Sequence, residues 1–418
     1  MKKAVLFISQ QFPYPLTDGG NIRTFKVLEG LAARYDICLI ASVRSNSDIQ
    51  EGLRLLKGFC SEVVCVPDVK SQSPLSLIFT IGRALLRNLP LAVAHNFNPH
   101  IQREINVRRA RRQFWAVHMN HLDTVQYFPV GEMTEKTVLD SHNLLHLFYA
   151  KAASIERSLW RRTLLRLEAW RMRRYEFRVF AALDNVVVCS ELEKSHLAKV
   201  FGMDKVHVVP NGVDCAYFHP PQRGYERNPA TLVFTGAMGY SPNSDAAIYF
   251  IREVMPILRK KTPGVCFAAV GRDPPAELVA LGRQWTDVIV TGKVPDVREY
   301  VWGARIFVVP IRKGAGTRLK VLEACAMGIP TVSTSVGAEG IEFTPEQDLL
   351  LADDPASMAD RIVELLQNPA RCEALGKRAI ALARGRYDWK AVTAGLLEGY
   401  ERWATSHRNE VSPRRRQV

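Results

Sequence analysis

The chain has 418 residues, 47% of them hydrophobic, and a formal net charge of +14. Two domains suit that length better than one core, and the composition excludes bulk disorder. The charge points to an acidic partner: nucleic acid, an anionic membrane surface or a phosphorylated substrate. In chain order, the start MKKAVLFISQQFPYP has an apolar run only over 4–8, with no small-residue cleavage site after it. It reads as a first strand and not as a signal peptide. A loop with Pro13, Pro15, Asp18, Gly19 and Gly20 follows, then an amphipathic helix over 22–35 and an apolar strand over 37–42. Strand, glycine loop, helix and strand in that order are the signature of a doubly wound α/β domain. Gly19 and Gly20 stand at the strand's carboxyl end, where such sheets bind ligands, although most Gly-Gly pairs are simple turns.

Residues 63–66 form the next strand, and 74–113 read as helical with a basic face. The stretch 75–94 contains Arg83, Arg87 and Pro90 and does not span a membrane. Two short strands, 116–120 and 137–140, each end in a polar loop: His118, Asn120 and His121 after one, Asp140, His142 and Asn143 after the other. These side chains look like one rim of a ligand cleft, although a single histidine there more often satisfies local backbone groups. They lack metal-ligand spacing.

Residues 150–182 read as one long helix carrying Arg157, Arg161, Arg162, Arg166, Arg171, Arg173, Arg174 and Arg178. Leu159, Trp160, Leu164, Leu167, Trp170 and Phe177 supply an apolar stripe. A basic amphipathic helix with tryptophans suits a membrane surface; a core-packed helix with a solvated arginine face is the alternative. Arg103, Arg108, Arg109, Arg111 and Arg112 make another basic group, and Arg414, Arg415 and Arg416 end the chain. Residues 186–190 form a strand ending in a capping box of Ser190 and Glu193, and 206–210 form a further strand. The eight cysteines are scattered without a C-x-x-C pair, so reduced thiols in the cytoplasm are the economical reading.

After NGVDCAYF (211–218), the polar, proline-containing segment 219–229 looks like an interdomain linker. A second α/β series begins there. Strands fall at 231–236, 265–270, 288–290 and 306–310, with helices at 243–260 and 297–303. Then comes GAGTRLKVLEACAMGIPTVSTSVGAEG (314–340), a small-residue loop, a helix from near Thr317, a break at Gly328 and Pro330, and a buried strand over 331–334. A helix start presents unpaired N–H groups and partial positive charge, which suits a phosphate. Thr317 is the expected N-cap, and Gly314 and Gly316 let a ligand approach the backbone. Arg318 and Lys320 add positive charge, and Lys320 shares a helix face with Glu323, three residues on. An ordinary helix with a solvated charged face fits that spacing equally well. A strand at 349–352 and helices over 356–367, 371–384 and 389–403 complete the chain.

PNGVDCAYF (210–218), Thr235-Gly236, VGRDP from Val270 and GAGTRLKVLEACAMGIPTVST together resemble the retaining glycosyltransferases of family 4. The order of the motifs and the two-domain layout agree over nearly the whole chain. PYPLTDGGNIRTF and LRLEAWRMRRYE resemble the bacterial sugar transferases of exopolysaccharide assembly, of the type associated with exosortase and PEP-CTERM sorting systems. The resemblance implies the GT-B fold, α/β with two Rossmann-like doubly wound domains facing across a cleft. The first would cover 1–209 and be completed by a terminal helix, 389–405, crossing back to it; the second would cover 210–388.

The resemblance further implies that the second domain binds a nucleoside-diphosphate sugar as co-substrate, with no cofactor and no metal. Glu323 would hold the ribose hydroxyls. Gly316, Thr317 and Leu319 would meet the diphosphate with their backbone, and Gly19 and Gly20 would reach it from the first domain. Gly236, Glu339 and Gly340 would border the donor pocket, and Val294 would lie near the base. His142 falls among the catalytic residues of the first domain.

The sequence departs from the family pattern twice. Many members carry E-x7-E, and counting back eight from Glu323 gives Ala315. Many also carry an arginine and a lysine in the loop after the second domain's first strand, which here reads GAMGYSPNSD. Arg318 and Lys320 are the expected replacements, with Arg272 as a further candidate, for neutralising the leaving diphosphate in a metal-independent transfer. The acceptor would be a saccharide or a lipid-linked saccharide, and the basic helices would meet an anionic membrane surface. The chain would then be cytoplasmic and peripheral at the inner membrane. Two alternatives are a nucleotide-sugar 2-epimerase of the same fold and a basic nucleic-acid-binding protein. No RNP, helix-turn-helix or zinc motif supports the latter.

Overall fold

The computed structural model describes residues 2–44, 49–69, 74–129, 133–156, 158–201, 205–221, 228, 230–314 and 316–405. Arg157, Ala315, Arg414, Arg415, Arg416 and most of the 219–229 segment lie outside the described residues. The chain divides into two compact units, residues 1–210 with the chain from Thr393 on, and Asn211–Val392.

In the first unit the elements run β1 (Ala4–Ser9), α1 (Gly19–Ala32), β2 (Asp36–Val43), α2 (Gln50–Lys57), β3 (Glu62–Pro67), α3 (Pro74–Leu86), α4 (Leu91–His95), α5 (Pro99–Arg111), β4 (Ala116–Asn120), β5 (Lys136–Asp140), α6 (Leu145–Ile155), α7 (Leu159–Ala182), β6 (Asn185–Val188), α8 (Glu191–Phe201) and β7 (Val206–Val208). Among the described residues the strands form one parallel sheet in the order β3-β2-β1-β4-β5-β6-β7. The apolar start is thus β1, third in that sheet, with Val5, Leu6, Phe7 and Ile8 all fully buried. Continuous apolar runs are what a parallel sheet covered on both faces requires.

Three local expectations change in this unit. The helix α1 begins at Gly19, so Gly19 and Gly20 form its first turn and not a loop before it. Asp18 is the N-cap and accepts from Asn21 N at 3.0 Å. The 74–113 stretch is three helices, broken where Asn88 takes a positive φ and where Pro90 and Pro99 open new helices. The long helix over 150–182 is a helical hairpin, for Glu156 and Ser158 are extended and α6 packs along α7. Glu176 of α7 draws the two together. It accepts from Leu145 N at 2.7 Å, capping α6 from its neighbour, and it also bonds His146.

The second unit runs β8 (Thr231–Thr235), α9 (Ser241–Tyr249), α10 (Met255–Lys261), β9 (Cys266–Val270), α11 (Ala276–Gln284), β10 (Val288–Val290), α12 (Val297–Gly303), β11 (Ile306–Val309), α13 (Leu319–Ala326), β12 (Thr331–Ser333), β13 (Leu350–Leu351), α14 (Pro355–Gln367) and α15 (Pro369–Leu382). Among the described residues its sheet is parallel in the order β10-β9-β8-β11-β12-β13. The helix expected over 243–260 is interrupted by a π turn, Phe250–Val254, immediately before Pro256. A proline's missing N–H and bulky ring are a recognised cause of such a break. The last helix, α16 (Trp389–Thr405), starts in the second unit and belongs to the first from Thr393 on.

Both sheets therefore reverse direction beside their first strand, at β1/β4 and at β8/β11. In doubly wound sheets ligands bind beyond the carboxyl ends of the strands at such a switch point.

Candidate active site

At the switch point of the second unit, Gly236 follows β8 and Gly271 follows β9, and the two loops touch backbone to backbone. A Cβ on Gly271 would lie 1.8 Å from Gly236 O, so only glycine fits there. From the next strand, β11, the chain passes through Gly314 (φ +117) and Gly316 (φ +84), both left-handed, and enters α13. The N-cap is Arg318 and not Thr317, and no side chain caps this end. Helix-start N–H groups are therefore left for another acceptor. Arg318 folds back to donate from Nη1 to Gly316 O at 2.7 Å. Burial lowers its pKa, with Glu339 opposing that shift.

Lys320 and Glu323 project from the first turns of α13 into this site, each keeping a small opening to solvent. Lys320 Nζ donates to Asn243 Oδ1 at 2.7 Å and lies 4.2 Å from the Phe234 ring centroid. A Cβ on Gly236 would stand 2.6 Å from Lys320 Nζ. The ammonium thus stands beside the loop after β8, the loop that lacks the expected arginine and lysine. Burial pushes Lys320 down to about 7, against the opposite pull of Glu323. Burial likewise pushes Glu323 up to about 7, with Lys320 opposing. Two groups poised near neutrality respond strongly to any charge brought beside them.

Other expected donor residues fall elsewhere in the second unit. Glu339 and Gly340 are half-buried in the turn after β12, where Gly340 takes φ +79. Val294 packs against the core beyond β10. Arg272 is exposed and pairs with its neighbour Asp273 at 3.3 Å. Asn243 was not singled out in the sequence; an asparagine near a helix start signals capping far more often than a partner 77 residues away.

At the first unit's switch point, Arg23 of α1 is buried and grips Asp140 at the end of β5, with Nη2 donating to Oδ1 at 2.7 Å and Nε 3.1 Å from Oδ2. Arg23 Nη1 also donates to the carbonyls of Val209 and Pro210, at 2.9 and 3.1 Å. Burial opposes the charge on Asp140, but the guanidinium holds its carboxyl well below the usual range. His142 Nε2 lies 3.0 Å from Asn120 Oδ1, and its ring meets that of His121 at 3.7 Å between centroids. Burial and then His121 push the His142 pKa well down, so His142 is neutral. The expected rim loses one member. His118 is fully buried, stacked on Phe7 at 4.3 Å and bonded through Nδ1 to Tyr400 of α16 at 2.5 Å. It shares a face of β4 with Asn120 but lies two residues back from the strand's carboxyl end, beside Phe7 and under Tyr400.

Residues 17–217 match the family model described as Glycosyltransferase Family 4, and residues 229–368 the one described as Glycosyl transferases group 1. The chain is built from two glycosyltransferase domains. A D-inositol 3-phosphate glycosyltransferase of Segniliparus rotundus is 27% identical over 245 residues, which are 54% of this chain and 54% of that protein. The chain thus spans about half the length of that curated relative. An uncharacterized 44.6 kDa protein in the cps region of Klebsiella pneumoniae is 20% identical over 403 residues, 94% of this chain and 99% of that one. The solved structure of Anabaena HepE in complex with UDP superposes with a TM-score of 0.64 at 14% identity, over 96% of this chain and all of that one. That likeness and the two Rossmann-like sheets give the glycosyltransferase fold as GT-B.

Proposed function

We propose that this glycosyltransferase moves a sugar, with retention and without a metal, from a nucleoside-diphosphate sugar to a saccharide or lipid-linked acceptor in cell-surface polysaccharide synthesis. The observation that carries the donor reading is the Lys320–Glu323 pair at an uncapped helix start, at the second sheet's switch point. Glu323 would take the ribose hydroxyls. The backbone of Gly316, Thr317 and Leu319 would meet the diphosphate, bordered by Gly236, Glu339 and Gly340, with Val294 near the base. Gly19 and Gly20 open α1 with N–H groups also suited to phosphate. As the glycosidic bond breaks, the leaving diphosphate gains charge. Arg318 and Lys320 would stabilise it, with Arg272 as a further cation. An incoming diphosphate would favour the charged form of Lys320, so binding would take up a proton. Neutral His142 would hydrogen-bond a sugar hydroxyl and not serve as an acid.

The HepE structure, which holds UDP, supports the donor part of this reading. The exosortase and PEP-CTERM resemblance supports an exopolysaccharide setting. Among the described residues no helix is long and apolar enough to cross a membrane. We place the protein at an anionic inner-membrane surface through its basic helices. Thermal shift against nucleoside diphosphates and their sugars tests the donor site, since a ligand of the native state raises the melting point. UDP or another nucleoside diphosphate is expected to stabilise the protein, and Glu323→Ala to abolish that shift and transfer together. Absence of stabilisation by every nucleotide sinks the reading.

A further inference from the structure

The helix α3 is built the wrong way round for a water-soluble surface. Its inward line is Thr80 and Ala84, both small and buried. Its bulk points outward: Leu77, Ile78, Phe79, Ile81, Leu85 and Leu86 are 42 to 90% exposed. A surface helix normally does the reverse, as α14 does with Met358, Ile362 and Leu365 sunk in the core. Large exposed apolar patches mark a site of association.

The hairpin helix α7 continues that surface. Arg171 Nη2 donates to Leu89 O at 2.5 Å and Arg178 Nη2 to Asn88 O at 2.9 Å, while Ala92 N donates to Glu168 Oε1 at 3.0 Å. These bonds tie the carboxyl end of α3 to the middle of α7. Glu168, Met172, Tyr175 and Val179 repeat at three and four residues and are buried. Trp160, Leu164, Leu167 and Trp170 form a separate line and are 51 to 63% exposed. Trp170 lies about 160° round the helix from Glu168 and Leu164 about 40° on the same side, so the exposed line flanks the buried one and turns outward toward Trp170.

Charge selects the occupant. The two acids of α7, Glu168 and Glu176, are buried, and α3 has none. Every exposed charged side chain on either helix is an arginine, among them Arg161, Arg166, Arg173 and Arg174. Arg161 stacks over Trp160 at 5.2 Å and Arg174 over Trp170 at 5.1 Å. Tryptophan and arginine on one face with apolar side chains suit the headgroup level of an anionic lipid surface. A two-fold contact between copies would bring like charges together, which disfavours a dimer on this face.

We propose that α3 inserts its outward apolar face into an anionic lipid surface, with α7 beside it at headgroup depth. This rests on the membrane part of the proposed function and adds the element that enters the lipid. Full-length protein is floated with vesicles of phosphatidylcholine alone and of phosphatidylcholine with phosphatidylglycerol. The native chain is expected to bind the anionic vesicles. The double variant Ile78→Asp with Phe79→Asp is expected to bind at least about tenfold more weakly. Arg161→Gln, Arg166→Gln and Arg174→Gln are each expected to cost about fivefold and to flatten the salt dependence. Brominated lipid should quench native tryptophan fluorescence, and Trp160→Phe with Trp170→Phe should remove that quenching. If the native chain binds anionic vesicles and the aspartate variant binds equally, the role of α3 is overturned while the membrane reading stands. If the native chain binds no vesicle, both fall. Dimerisation that the aspartate variant abolishes, without vesicle binding, assigns the face to a second copy and also overturns the proposal. Circular dichroism and an unchanged melting point check that the variants are folded.

Discussion

Each unit places a charged pair near the carboxyl end of its sheet, and the two pairs are treated in opposite ways. In the first, Arg23 and Asp140 are sealed together, each with 1% of the side chain exposed, and the guanidinium's further bonds go to backbone carbonyls. In the second, Lys320 and Glu323 share a site that stays partly open, and burial has brought both near neutrality. A closed pair fixes the ends of β5 and β7 and has no capacity left for a ligand. An open, poised pair is a poor staple and a good receptor. The same end of the two sheets thus carries a closed pair in one unit and an open one in the other.

The most severe test of that contrast is Arg23→Met. It leaves the Asp140 carboxylate buried without its partner and is expected to cost about 3–5 kcal/mol in urea unfolding. Lys320→Met should do the reverse. Removing a cation whose charged form its surroundings disfavour should change stability by less than about 1 kcal/mol, while sugar transfer falls about 10²- to 10³-fold. If Lys320→Met unfolds the protein as readily as Arg23→Met does, the distinction fails. His142→Gln sharpens the first unit's part. With a neutral ring already in place, transfer should drop about tenfold through one lost hydrogen bond to substrate, with the pH profile unchanged.

The smallest effect is one of sign. Glu323 titrates near 7 when folded and near 4.5 otherwise, so its cost to the fold accumulates as pH rises from 4.5 to 7. Acidification from pH 7 to 5 should therefore stabilise the second unit by about 1–2 kcal/mol. His118 titrates near 4 when folded and near 6.5 otherwise, so the same acidification weakens the first unit. Glu176 and Glu193, raised by burial, blunt that loss. Hydrogen exchange in β1 and β8, corrected for intrinsic rates, should move in opposite directions, and Glu323→Gln should cancel the β8 response.

Much of this was readable in the chain, for reasons that are local. Apolar runs such as 4–8 and 306–310 announce parallel strands, and the glycines before Lys320 announce a loop turning into a helix. Glu323 and Lys320 share a face by helical spacing alone. The remainder depended on contacts across sequence. Arg23 meets Asp140 across 117 residues, and nothing near either one specifies the other. The break between α6 and α7 follows from Glu176 reaching back to Leu145 N. Composition gave the apolar character of α3, but its orientation depends on the bonds that hold its carboxyl end to α7. The His118 ring was assigned to a rim because its partner, Tyr400, is 282 residues away.

That last contact bears on the order in which the protein is made. From Thr393 on, α16 belongs to the first unit: Tyr400 is fully buried against His118, and Lys136 Nζ donates to Trp403 O at 2.8 Å. A ribosome delivers these residues after all of residues 211–392. The first unit must therefore wait, with part of its interior uncovered, while the whole of residues 211–392 emerges and can close first. The usual sequence of domain completion during synthesis is inverted. Emergence of α16 is the event that seals the first unit.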